Sequence, residues 1–152
     1  MKHSILVTVF FALVTAPAFA QVSVKDPWVR ATVPEQKSTG AFMQITAPKD
    51  ARLVEARSPA AKTVEIHEMA MVDNMMKMRA IAGVDLPAGK AVDLKPGGYH
   101  VMLIDVKSQI KDGDSVPITL VFEGKDKKRE TAEVKAVARP LNTSAGKDKM
   151  KN

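Results

Sequence analysis

The chain has 152 residues, 45% of them hydrophobic and 26% charged, with a formal net charge of +6 and no cysteine. The lack of thiols excludes disulfides, zinc–thiolate sites and thiol redox chemistry, so any folded domain relies on its core alone. The basic excess is scattered, and no basic stripe interleaved with aromatics appears, which argues against a nucleic-acid surface.

The first twenty residues read as a secretory signal. Lys2 supplies a positive start, residues 5–16 are almost wholly apolar but too few to span a bilayer, and Ala18-Phe19-Ala20 is the small-x-small pattern of a cleavage site. Removing them leaves 132 residues with a net charge of +5, the size of a single exported, periplasmic domain. No later segment is long and apolar enough to cross a membrane as a helix, so stable insertion after cleavage is not expected.

Beyond the signal, period-two alternation recurs between Gly, Pro, Asp and Lys breaks. It predicts strands over residues 22–33, 39–46, 51–56, 63–72 and 75–81, the last two joined at Asp73-Asn74. Residues 86–90 read as a connection, 91–94 as a brief strand, Pro96-Gly97-Gly98 as a turn, and 99–106 as a strong strand. Strands over 116–122 and 131–137, joined by a charged turn over 123–130, complete the set. The pattern predicts an all-β sandwich or barrel over residues 21–139, followed by a flexible polar tail over 140–152.

Two residue types carry the chemistry. Past the signal only His67 and His100 remain, and five methionines fall between Met69 and Met78. Each histidine has a methionine two residues on, Met69 and Met102, and strand geometry puts each pair on one face, roughly 6.5 to 7 Å apart. Imidazole with thioether selects a soft ion, Cu(I) above zinc, magnesium or calcium. We expect no carboxylate at the alternating positions, hence an all-neutral donor set that leaves the ion's charge uncompensated. Glu68 falls on the face opposite His67. No Ser-His-Asp order, phosphate-cradling loop or His-Glu-x-x-His motif suggests an enzyme.

At these residues the sequence resembles the PCu(A)C family of periplasmic copper chaperones. The family pattern is a histidine, ten residues, a methionine, twenty-one residues and His-x-Met, matched here by His67, Met78, His100 and Met102. Asp26-Pro27-Trp28-Val29-Arg30, Thr39-Gly40-Ala41-Phe42-Met43, Glu65-Ile66-His67-Glu68-Met69 and Pro96-Gly97-Gly98-Tyr99-His100-Val101-Met102-Leu103 also resemble it, over roughly residues 22–138. The resemblance implies a cupredoxin-like Greek-key β-barrel and one exposed Cu(I) held by those four residues. It further implies delivery to the dinuclear copper centre of cytochrome c oxidase, directly to a subunit or through a Sco-type assembly protein, by a non-enzymatic monomer. Some members bind further copper on a His- and Met-rich C-terminal extension, but the tail here offers only Met150.

Strand spacing favours Met69 beside His67, whereas the family pattern selects Met78, with Met69 or Met71 left as auxiliaries. The rival readings are a copper-sequestering or resistance protein with the same site, an electron-transfer cupredoxin, and a metal-free interaction module whose methionines are core. The electron-transfer reading lacks the thiolate that such copper normally requires.

Overall fold

The computed structural model describes residues 21–140 and 142, so the expected signal (1–20) lies outside the described residues, as does nearly all of the expected tail (140–152). The described residues form ten strands and no helix: β1 (Ser23–Arg30), β2 (Ser38–Thr46), β3 (Ala51–Arg57), β4 (Ala61–Val72), β5 (Met75–Ala80), β6 (Val84–Leu86), β7 (Ala91–Leu94), β8 (His100–Val106), β9 (Ser115–Gly124) and β10 (Arg129–Arg139). The all-β expectation holds. The strand β6 falls where the sequence pattern predicts no strand. It is three residues long, too short to show alternation, and it is defined by pairing with β3 and by burial of Val84 and Leu86.

The strands hydrogen-bond in the order β5-β4-β8-β2-β1-β10-β9-β3-β6, with β7 also pairing with β2. Pairing is antiparallel except for β1 with β10. Neighbours far apart in sequence (β8 with β2, β1 with β10) fold the strand path over one core, giving the cupredoxin-like arrangement. The inward residues are those that alternation selects: Ala41, Met43 and Ile45 on β2, Val101 and Leu103 on β8, and Ile118, Leu120 and Phe122 on β9, all buried.

Two turns position the outward histidines and methionines. Lys95-Pro96-Gly97-Gly98 closes with Gly98 N donating to Lys95 O at 2.9 Å, and Gly97 takes φ 85°. Proline followed by a left-handed glycine is the type II pattern. The β4–β5 hairpin turns on Asp73 and Asn74, both left-handed (φ 50° and 59°), the backbone of a two-residue type I′ turn.

Asn74 tolerates this conformation because its short polar side chain bonds locally, whereas a β-branched residue does not. Asn74→Val is expected to destabilise the fold by about 1–2 kcal/mol and Asn74→Gly to leave stability equal or slightly raised, measured by chemical denaturation.

Candidate metal centre

The register of β4 against β8 places His67 directly opposite His100. Their ring centres are 5.6 Å apart with planes at 61°. With metal–nitrogen bonds of about 2 Å, two imidazoles on one ion have centres at most about 6 Å apart, so this spacing suits a shared ion. Both rings project from the outward face, yet both are buried, at 9% and 5% exposure.

The cover comes from β1 and β2. Phe42 lies 6.1 Å from the His100 ring and 4.6 Å from Trp28, which it faces in register. Gly40 makes room for it, since a Cβ there would come within 2.9 Å of Phe42 Cζ. The guanidinium of Arg30 sits 5.6 Å from the Phe42 ring centre and that of Arg139 5.2 Å from that of Trp28. This aromatic layer with cationic lids covers the His100 ring on one flank, and Met78 of β5 meets it at Nε2.

Hydrogen bonds fix which nitrogens are free. His100 Nδ1 lies 3.1 Å from Gly98 O. A carbonyl only accepts, so Nδ1 carries the proton and Nε2 of the neutral ring keeps its lone pair. That lone pair faces Met78 Sδ at 2.9 Å. Thioether sulfur has no proton to give, so two donor atoms confront each other with nothing between them to share, an arrangement an electrophile would relieve. His67 Nε2 is 2.7 Å from Glu65 Oε2 and donates to it, which leaves Nδ1 as the lone-pair nitrogen. That Nδ1 is buried and has no hydrogen-bond partner. An orphaned buried acceptor costs about 1–3 kcal/mol. An unshared imidazole nitrogen beside a thioether sulfur, with a second unshared nitrogen on the facing ring, is a donor combination that suits a soft ion.

Met102 is half-buried on the same face as His100, opposite both Glu65 on β4 and Gly40 on β2. Met78 is 46% exposed on β5. Its register partner is Met69, while His67 pairs with Ala80, so Met78 reaches the centre diagonally and meets His100 rather than His67. Met69 lies on the face of His67, where its spacing places it, one rung toward the hairpin tip, while the contact with His100 is made by Met78. The expectation of no carboxylate at the alternating positions is corrected. Glu65 stands two residues before His67 and therefore on its face, and period two, read backward as well as forward, identifies it. Among the described residues no group of three or more His, Cys, Asp and Glu is arranged to hold a metal ion.

The His100 imidazole is held below its ordinary proton affinity, chiefly by burial, with charge at His67 and Arg30 adding to the effect and the Gly98 carbonyl opposing it. The unfolded chain therefore takes up this proton first as pH falls. The stability it contributes is full above about pH 6.5, the ordinary histidine value, and is lost as pH drops toward the lower folded value. Held free of metal by a chelator, the protein is expected to lose thermal stability as pH falls below that point, and His100→Gln to flatten that part of the profile. A slope unchanged by the substitution would show that other groups carry it.

Residues 22–136 match the family described as "Putative lipoprotein LpqE-like". Two curated relatives are similar: RP573 of Rickettsia prowazekii, 33% identical over 74% of this chain, and Lxx21020 of Leifsonia xyli subsp. xyli, 31% identical over 66%. The matched part of the chain spans 65% and 61% of their lengths, respectively. Among solved structures the fold matches the copper-bound PCuAC domain from PmoF2, with TM-score 0.59 and 23% identity over 79% of this chain and 95% of that one. It also matches Cu(I)-bound DR1885 of Deinococcus radiodurans, with TM-score 0.57 and 26% identity over 88% of this chain and 85% of that one. The chain belongs to the LpqE-like family, and its fold is that of the PCu(A)C domains.

Proposed function

We propose that the protein is an extracytoplasmic Cu(I) carrier that holds one ion on His67, Met78, His100 and Met102 and passes it to an acceptor protein. The observation that carries this reading is the unprotonated Nε2 of His100 facing the sulfur of Met78 at 2.9 Å, beside a His67 ring with an orphaned nitrogen. Support also comes from the copper-bound PmoF2 domain and Cu(I)-bound DR1885 among the structural neighbours. A signal-like start and a family name containing the word lipoprotein favour an envelope location, and the periplasm is the compartment we assign.

The four residues divide the work of carrying. The imidazoles are buried and oriented by Gly98 and Glu65, so they form the fixed half of the site. Met78 stands on an edge strand exposed along its whole length and is the ligand an incoming donor can displace first. Transfer then proceeds by ligand exchange, without release of the ion to water. This exposed ligand favours delivery over sequestration. The acceptor we assign is the dinuclear copper centre of cytochrome c oxidase or a Sco-type factor that loads it.

Under reducing conditions, Cu(I) titration against a competing chelator is expected to give one tight equivalent. His100→Ala should weaken it by about a hundredfold or more and Met78→Leu by about tenfold or more, roughly 2.7 and 1.4 kcal/mol, with Met69→Leu close to wild type. Affinity should fall in mild acid as protons compete for imidazole. Incubation with an apo copper-domain fragment of the oxidase should move the ion across. Retention of the ion would instead indicate sequestration, and full affinity in both His100→Ala and Met78→Leu would sink the assignment of the site.

A further inference from the structure

The β4–β5 hairpin carries more sulfur than a four-ligand site uses. Met71 pairs with Met76 and Met69 with Met78, and both pairs share a face with His67 and Ala80. Ile81 N donates to Ile66 O at 2.8 Å, which makes that rung hydrogen-bonded. By alternation the His67, Met69 and Met71 rungs are non-hydrogen-bonded, the kind in which facing side chains approach most closely. The sulfurs form a row from the imidazoles to the hairpin tip.

Burial does not account for this row. Seven large hydrophobic residues are exposed among those described, and four of them are Met71, Met75, Met76 and Met78 of this hairpin. Met71 is 65% exposed and Met76 51%, so neither gains much from the core. An edge strand is ordinarily blunted by charge. Here Lys77 and Arg79 lie on the opposite face, leaving the imidazole face of β5 to methionine. Exposure rises along the row, from the buried imidazoles through half-buried Met69 to Met71 at the tip.

We infer that Met69, Met71 and Met76 form a second, outer site for a soft monovalent ion, one rung beyond the four-ligand centre. The inference rests on the Cu(I) reading above and extends it. Directly facing residues have Cβ atoms about 4.5–5.5 Å apart. Unbranched thioether arms can close from there onto one ion at bonds of about 2.3 Å, the usual metal–sulfur length. Met69, next along β4 on the same face, supplies the third donor. Three neutral sulfurs without imidazole bind more weakly than the inner set, so the outer site fills second and empties first. It thus gives the ion a foothold at the solvent end of the row.

The test is a titration of the protein with Cu(I) under anaerobic reducing conditions, followed through the methionine ε-methyl resonances. The methyls of Met78 and Met102 should move with the first equivalent and those of Met69, Met71 and Met76 with a second, bound at least about tenfold more weakly. Met71→Leu/Met76→Leu, nearly volume-conserving and at exposed positions, should reduce the stoichiometry from two ions to one while leaving the first step intact. Outer methyls that stay unmoved through several equivalents, after a normal first step, would overturn the outer site and spare the four-ligand reading. All five methyls moving together in one step would also overturn it, by making the row a single site. Movement of the outer set first, with Met78 and Met102 silent, would overturn the four-ligand reading together with the order of filling.

Discussion

The functional face depends on the register of β4 against β8. Ile66 opposite Val101 and Val64 opposite Leu103 turn inward on these two strands, and Val101 and Leu103 are fully buried. A slip of one residue would carry them to the outer face and drive His67 or His100 into the core. Core packing therefore sets the rung on which the two imidazoles meet, and no interaction between the rings is needed to bring them together. The same register sets Met102 opposite Glu65, so the carboxylate and the second thioether flank the histidine rung on one side. The type I′ hairpin brings the β5 methionines to the other.

Burial of the histidines on an outward face follows from β1 and β2. Thr39-Gly40-Ala41-Phe42-Met43 alternates between the core (Ala41, Met43) and the outer layer (Gly40, Phe42). The missing side chain at Gly40 opens the space across which Phe42 lies, and Trp28 backs Phe42 in register. Arg30 and Arg139 cover the rings, and Arg139 is tethered to Asp26 at the bulge that interrupts β1. The segment from Asp26 to Arg30 and the one around Gly40 thus build a wall that desolvates His100 and brings positive charge near it. Both effects keep the ring neutral, the state a metal ligand requires.

Much of this was legible in the sequence. Period two identified the strands, the core face of β8 and the separation of Glu68 from His67, because a half-buried sheet enforces alternation. Asp73-Asn74 and Pro96-Gly97-Gly98 announced their turns because few other residues accept positive φ. What escaped were features of pairing between strands. β6 is too short for a pattern, and its place comes from β3. Spacing along one strand places Met69 on the face of His67, and it lies there; the contact of Met78 with His100 runs across strands and depends on register. The wall of Phe42 and Trp28 required knowing that β2 lies between β8 and β1.

Glu65 changes the electrostatic character of the centre. An all-neutral donor set would leave the full charge of a bound monovalent ion in a site where Arg30 already contributes positive charge. A carboxylate hydrogen-bonded to the His67 ring places a negative charge behind the nitrogen that would hold the ion. Half-exposed and close to the surface, its effect is moderated by solvent screening. That balance suits a carrier. One carboxylate behind one imidazole offsets part of a monovalent ion's charge, whereas a divalent ion would retain a larger excess. In this reading, preference for a soft monovalent ion comes from imidazole and thioether donors together with a single, partly screened negative charge.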